Sequence, residues 1–208
     1  MSQSDLPNAP LPVSRRGILS TLAVAAAASF SGTSGASAWS LFKRHASMDE
    51  RIDTSGMSSE WVRHQGSDLD AYAAFLSSIG LRNLTARQVI ESHAKKHGPV
   101  WNTLPPRSMW DNMVPTLKVI DRIGLELGQP VTEIISAYRC PAYNARCAGA
   151  ASGSWHKKNY AIDVVFPARP SVVAATARRL RGEGVFQGGV GRYATFTHVD
   201  TRGQSVDW

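Results

Sequence analysis

Cysteine is nearly missing from this chain: 208 residues carry two, Cys140 and Cys147. Two thiols exclude a disulfide scaffold and a zinc site built on four cysteines. Acidic side chains are also scarce, 16 against 23 Lys and Arg, for a formal net charge of +7. A basic balance suits an anionic surface such as cell wall or lipid headgroups. The cations are scattered and form no recognition motif, so nucleic acid is not an expected partner. Long apolar runs are absent too; the longest, Leu22 to Phe30, is too short and too rich in Ala to span a bilayer. Finally, His93-Ala94-Lys95-Lys96-His97 lacks the glutamate of a His-Glu-x-x-His metal helix. That pair is therefore expected on a solvated helix face.

What is present begins with a leader. Ser14-Arg15-Arg16-Gly17-Ile18-Leu19 precedes the Ala-rich run and then Ala36-Ser37-Ala38. Twin arginines, a moderately apolar stretch and an A-x-A site read as a twin-arginine signal, residues 1–38, cleaved after Ala38. The expected partner is the twin-arginine translocation machinery, and the expected location is the periplasm or cell envelope. Loss of Arg15, Arg16 and Asp5 leaves the mature chain basic. An oxidising compartment permits a Cys140–Cys147 bridge. On one continuous helix the two Cα atoms would stand about 10 Å apart, beyond the usual limit near 7 Å. With Pro141 as first helical residue and Cys140 on the loop before it, a bridge stays open.

Residues 39–58 read as a polar linker and 59–104 as a helical segment. From Glu60, residues Leu69, Tyr72, Ala73, Leu76 and Ile79 share one helical face closed by Gly80. Thr85-Ala86-Arg87-Gln88 is a capping box, opening a helix expected to reach Gly98-Pro99. Pro105-Pro106 introduces a longer helix striped by Trp110, Met113, Leu117, Ile120 and Leu127, which Pro115 should kink or divide. Val131 to Ala137 and Tyr160 to Phe166 read as strands, and Val172 to Leu180 as a helix. Gly188 to Tyr193 and Phe196 to Asp200 read as a hairpin. Helices first and strands mostly later predict an α+β fold, with N-terminal helices packed on a small antiparallel sheet.

Two histidines and an aspartate stand out: His156, Asp163 and His198. Two imidazoles and a carboxylate can hold a catalytic zinc, which takes three protein ligands and keeps a fourth position for water. The donors must converge within a few ångströms, whereas a straight strand would separate His156 and Asp163 by roughly 20 Å. The chain must turn between them, and Asn159 suits that turn because Asn tolerates the left-handed conformation. Strand alternation puts His198 and Asp200 on one side with Val199 turned away, and pairs Ala161 with Asp163 opposite Ile162.

The ordered motifs carry a resemblance. Ser-x-His-x6-Asp is preceded by Tyr-Arg-x-Pro-x-Tyr-Asn and followed by Gly-Gly-x-Gly-x-Tyr and Phe-x-His-x-Asp. Together they resemble the zinc D,D- and L,D-peptidases of bacterial peptidoglycan, nearest the murein endopeptidase K branch, over residues 105–208. The resemblance implies a metallopeptidase acting on stem peptides or cross-links, with muropeptides as substrate and a monomeric chain. It makes His156, Asp163 and His198 the zinc ligands. Arg139 is then the arginine that steadies the substrate carbonyl or carboxylate, or else an ion pair on a loop. Relatives often place a carboxylate base three residues before the last histidine, where this chain has Thr195. Asp200 is left as base, or as the group holding the outer nitrogen of His156. Ser154 either meets substrate or shapes the loop. A non-catalytic, zinc-stabilised wall-binding or sensor domain is the alternative that Thr195 favours.

Overall fold

The computed structural model describes residues 51–208. The leader and residues 39–50 of the linker lie outside the described residues. Helices α1 (Ser59–Gln65), α2 (Asp68–Ser78) and α3 (Ala86–Glu91) precede a two-stranded hairpin, β1 (Lys96–His97) and β2 (Val100–Trp101). Then come α4 (Trp110–Leu127), β3 (Glu133–Ser136), α5 (Pro141–Asn144), β4 (Ala161–Val165) and α6 (Pro170–Gly182). Strands β5 (Gly189–Arg192), β6 (Thr197–Asp200) and β7 (Val206–Asp207) complete the main sheet, ordered β3-β4-β6-β5-β7.

The expected hairpin is present: β5 pairs antiparallel with β6, and β6 with β4. The outermost strand differs from the expectation, since β7 runs parallel to β5. Strands β4 and β6 are interior and almost wholly buried; Ile162, Val164 and Val199 join the apolar core, while Asp163, His198 and Asp200 alternate with them toward the site. Trp61, Tyr72, Ile90, Met113, Leu117, Ile162, Leu180 and Val199 belong to one apolar cluster. The N-terminal helices thus share a core with the sheet. Burying side chains of this size contributes roughly 1.5–3 kcal/mol each before entropy is charged against it.

Several local expectations are corrected. The first helix is two helices, because Gly66 at φ 57°, ψ −141° occupies a region open essentially to glycine alone. The capping box at Thr85 forms, with both reciprocal bonds to Gln88, but its helix stops at Glu91 and not at Gly98-Pro99. Beyond it the chain turns inward, and His93 is fully buried instead of solvated. Its ring lies 5.9 Å from that of Tyr72 and its Nδ1 is 3.3 Å from the Tyr138 carbonyl. His97 is exposed on β1, so the two histidines share no face. Helix α4 runs undivided through Pro115. The carbonyl that Pro115 leaves without a partner, that of Asp111, belongs to an exposed residue that water can serve. Pro141 does open α5, as its fixed φ favours, with Cys140 as N-cap. Cys140 and Cys147 are free thiols and not a bridge. Each sulfur is directed at a carbonyl, Trp101 at 3.8 Å and Tyr143 at 3.5 Å respectively.

Candidate metal centre

Local backbone chemistry brings the three ligands together. Ser154 caps a short 3-10 helix, Trp155–Lys158, by accepting from the His156 N–H at 3.3 Å. This is a loop-shaping role for Ser154. Asn159 follows at φ 60°, ψ 37°, the one non-glycine residue with positive φ among those described. Its side chain is anchored by donating to the Met109 carbonyl at 2.8 Å. The reversal there delivers the chain into β4, where Asp163 pairs directly across from His198 on β6. One atom from each of His156, Asp163 and His198 lies within 4.8 Å of the others, and all three residues are buried. Asp163 Oδ1 is 3.3 Å from His156 Nε2 and 2.8 Å from His198 Nδ1.

The outer hydrogen bonds set what these atoms can bind. His156 Nδ1 meets the Ala137 carbonyl at 2.6 Å, and a carbonyl only accepts, so Nδ1 carries the proton. His198 Nε2 meets the Asp200 carboxylate at 2.9 Å and is assigned its proton in the same way. The other two ring nitrogens, His156 Nε2 and His198 Nδ1, then face the Asp163 carboxylate. A proton on His198 Nδ1, or a metal cation among the three, offsets the Asp163 charge at these distances. Burial pushes the His156 ring below its ordinary range despite Asp163 beside it. Burial also disfavours a charged His198, yet hydrogen bonds to Asp163 and Asp200 hold that ring above its usual value. Burial would raise Asp163, and the two imidazoles hold it well below the carboxylate range. The trio is a group that could hold a metal ion, and its donor set is that of a three-ligand metal centre.

The second oxygen of Asp163 accepts from Arg139 Nη2 at 2.6 Å, and Arg139 Nε donates to Ser136 Oγ at 2.7 Å. Arg139 thereby orients the Asp163 carboxylate, which is the ion-pair arrangement expected as its alternative role. Asp200 differs from both roles expected of it. It holds the outer nitrogen of His198, not of His156, whose outer nitrogen is taken by Ala137. Nor is it free to take a proton. It is fully buried, accepts from Gly189 N at 3.0 Å, and receives the Arg202 backbone N–H and guanidinium. Burial alone would raise Asp200, but these donors keep it well below its ordinary range. Thr195 is exposed in the turn between β5 and β6.

A family model described as Peptidase M15 matches residues 80–200, more than half of the chain. The chain belongs to the M15 peptidases. No curated protein and no solved structure matches it. The M15 match takes in Arg139, the His156-Asp163-His198 trio and Asp200. It also starts earlier than the motifs do, inside the helical segment, and so includes α3 and the β1–β2 hairpin. The M15 chain is a metallopeptidase, and the His156-Asp163-His198 trio is a group that could hold its metal.

Sequence reasoning missed Arg202, Ser136 and the Ala137 carbonyl as supports of this M15 site. Their signal was weak, because none sits in a ligand-like spacing. The glycines were a stronger clue. A Cβ at Gly188 would run into the Asp200 carbonyl, and one at Gly189 into the Asp200 carboxylate. A Cβ at Gly191 would strike the Trp208 indole. The Gly-Gly-x-Gly run is thus a bare floor on which the Asp200 side chain and Trp208 lie.

Proposed function

We propose that this chain is a zinc-dependent peptidase that hydrolyses peptide bonds in peptidoglycan stem peptides or cross-links, as murein endopeptidase K does. It works in the periplasm or cell envelope after export by the twin-arginine route, as a monomer. The observation that carries the reading is the buried convergence of two imidazole nitrogens and one carboxylate oxygen within 4.8 Å of one another. Zinc, which His156, Asp163 and His198 would hold, would supply a water of pKa about 7 and polarise the scissile carbonyl. The chain's own residues do the rest. Arg139 fixes Asp163 so that only Oδ1 faces the metal. Asp200, itself neutralised by Arg202, fixes the His198 tautomer, and Ala137 fixes that of His156. Rigid ligands with preset protons cost no reorganisation when the metal binds.

Digestion of purified sacculi with the zinc-loaded mature protein, followed by mass analysis of released muropeptides, tests this and reads out the bond cleaved. His156→Ala should lose both zinc binding and muropeptide release. Release retained in that variant overturns the proposal. One observation favours the non-catalytic sensor or wall-binding alternative. Thr195 stands where relatives carry a carboxylate base, and Asp200, the remaining candidate, is saturated with donors. Sacculus binding without any released muropeptide across a broad pH range would establish that alternative.

A further inference from the structure

One face of the metal centre is a continuous layer of rings and cations. Trp208 lies against the His198 ring, centroids 5.1 Å apart, and its Nε1 donates to the Tyr193 hydroxyl at 2.9 Å. Tyr193 stacks on Phe196 at 4.3 Å with an interplanar angle of 12°. Toward the other ligand, the Arg202 guanidinium sits 5.3 Å from the ring centres of both Trp208 and Trp155. Lys158 covers Trp155 at 4.2 Å, and Trp155 immediately precedes His156. The layer therefore reaches from the surface to the His198 ring and to Trp155, the chain neighbour of His156.

Its rings are not there for the core. Tyr193 and Trp208 are 42% and 44% exposed, and neither belongs to the apolar cluster. Contiguous exposed aromatics beside a polar site mark a ligand surface. The absence of a Cβ at Gly191 is what lets the Trp208 indole lie flat along β5. The ligand is also constrained by the sheet. Asp163 and His198 stand on β4 and β6, and each of these strands is paired on both sides. No strand edge is available at the ligands for an extended peptide to join, so substrate must be held through faces and side chains.

We propose that this layer binds the saccharide of a glycan strand, with sugar C–H faces on Trp208 and Tyr193 and the carboxylates of attached stem peptides toward Lys158. This rests on the peptidoglycan reading above. Flat rings with polar edges match a sugar's apolar faces and hydroxyls, and the cations complement the acidic peptide it carries.

The test titrates zinc-loaded protein with a peptide-free tetramer of N-acetylglucosamine, following Trp fluorescence and the Trp208 indole NMR signal. The expected result is saturable binding that shifts the Trp208 signal, weakened at least about fivefold by Tyr193→Ala. Tyr193→Phe, which keeps the ring but loses the hydroxyl that accepts from Trp208 Nε1, should fall between wild type and Tyr193→Ala. Zinc content and Tm of each variant establish that it is folded. No saturable binding, or a Trp208 signal that stays in place, overturns the proposal, as does equal affinity in folded Tyr193→Ala. Hydrolysis of a sugar-free cross-linked stem peptide is measured in parallel. Hydrolysis without sugar binding removes this inference alone, whereas sugar binding without hydrolysis removes the peptidase reading and leaves the saccharide surface standing.

Discussion

Replacing Asp200 with Asn changes one atom's chemistry and should cost metal affinity more than fold. In the native site Oδ1 accepts from Gly189 N, Arg202 N and Arg202 Nε, and Oδ2 accepts from His198 Nε2 and Arg202 Nη2. An asparagine that keeps its oxygen on the first three donors must place its NH2 against the other two. The least costly escape is a tautomer switch in His198, with Nε2 accepting from the amide and the proton moving to Nδ1. That proton then sits 2.8 Å from Asp163 Oδ1, a satisfactory hydrogen bond in the metal-free protein. Metal binding must undo it. The loss is about one charge-assisted hydrogen bond, ~1.5–3 kcal/mol, which is about a tenfold to hundredfold weaker site. Zinc affinity measured by competition with a chromophoric chelator should show that drop, while the metal-free Asp200→Asn protein remains folded by circular dichroism. Affinity within threefold of wild type would refute the claim that Asp200 sets the His198 proton.

Two further outcomes follow from the same contacts. Gly191→Ala puts a methyl group into the Trp208 indole; Trp208 should swing out, red-shifting Trp emission and lowering stability by about 1–3 kcal/mol in urea denaturation. The pH dependence of folding should carry a His93 signature: burial pushes this ring from 6.5 down to about 4. The unfolded chain therefore takes up the proton first, so this contribution is complete above pH 6.5 and falls away toward pH 4, by ~3 kcal/mol. Urea midpoints of chelator-treated protein between pH 7.5 and 4.5 should drop less steeply in His93→Gln, and parallel curves would contradict the assignment.

Much of the site was legible because it is written in short-range chemistry. The spacing of His156 and Asp163 required a turn, and Asn159 was the residue able to make it. Alternation along β6 places His198 and Asp200 on one side, and the structure joins them by a hydrogen bond. The capping box at Thr85 and the Pro141 start of α5 were readable for the same reason, since each depends on atoms within a turn of one another. Long-range partners were not readable. Nothing near His93 in sequence announces Tyr72 or Tyr138, and so a buried imidazole passed for a solvated one.

The amino-acid order alone thus determined the donor types, their spacing, the turn that gathers two of them and the α+β class. Only the tertiary structure decided which outer nitrogen each partner holds, that Arg139 and Asp200 support ligands, and that the glycine run is a floor for Trp208. The physical reason is reach. Backbone preference and side-chain alternation act over a few residues, whereas a tautomer or a saturated carboxylate depends on groups brought together from distant parts of the chain by the closing of the core.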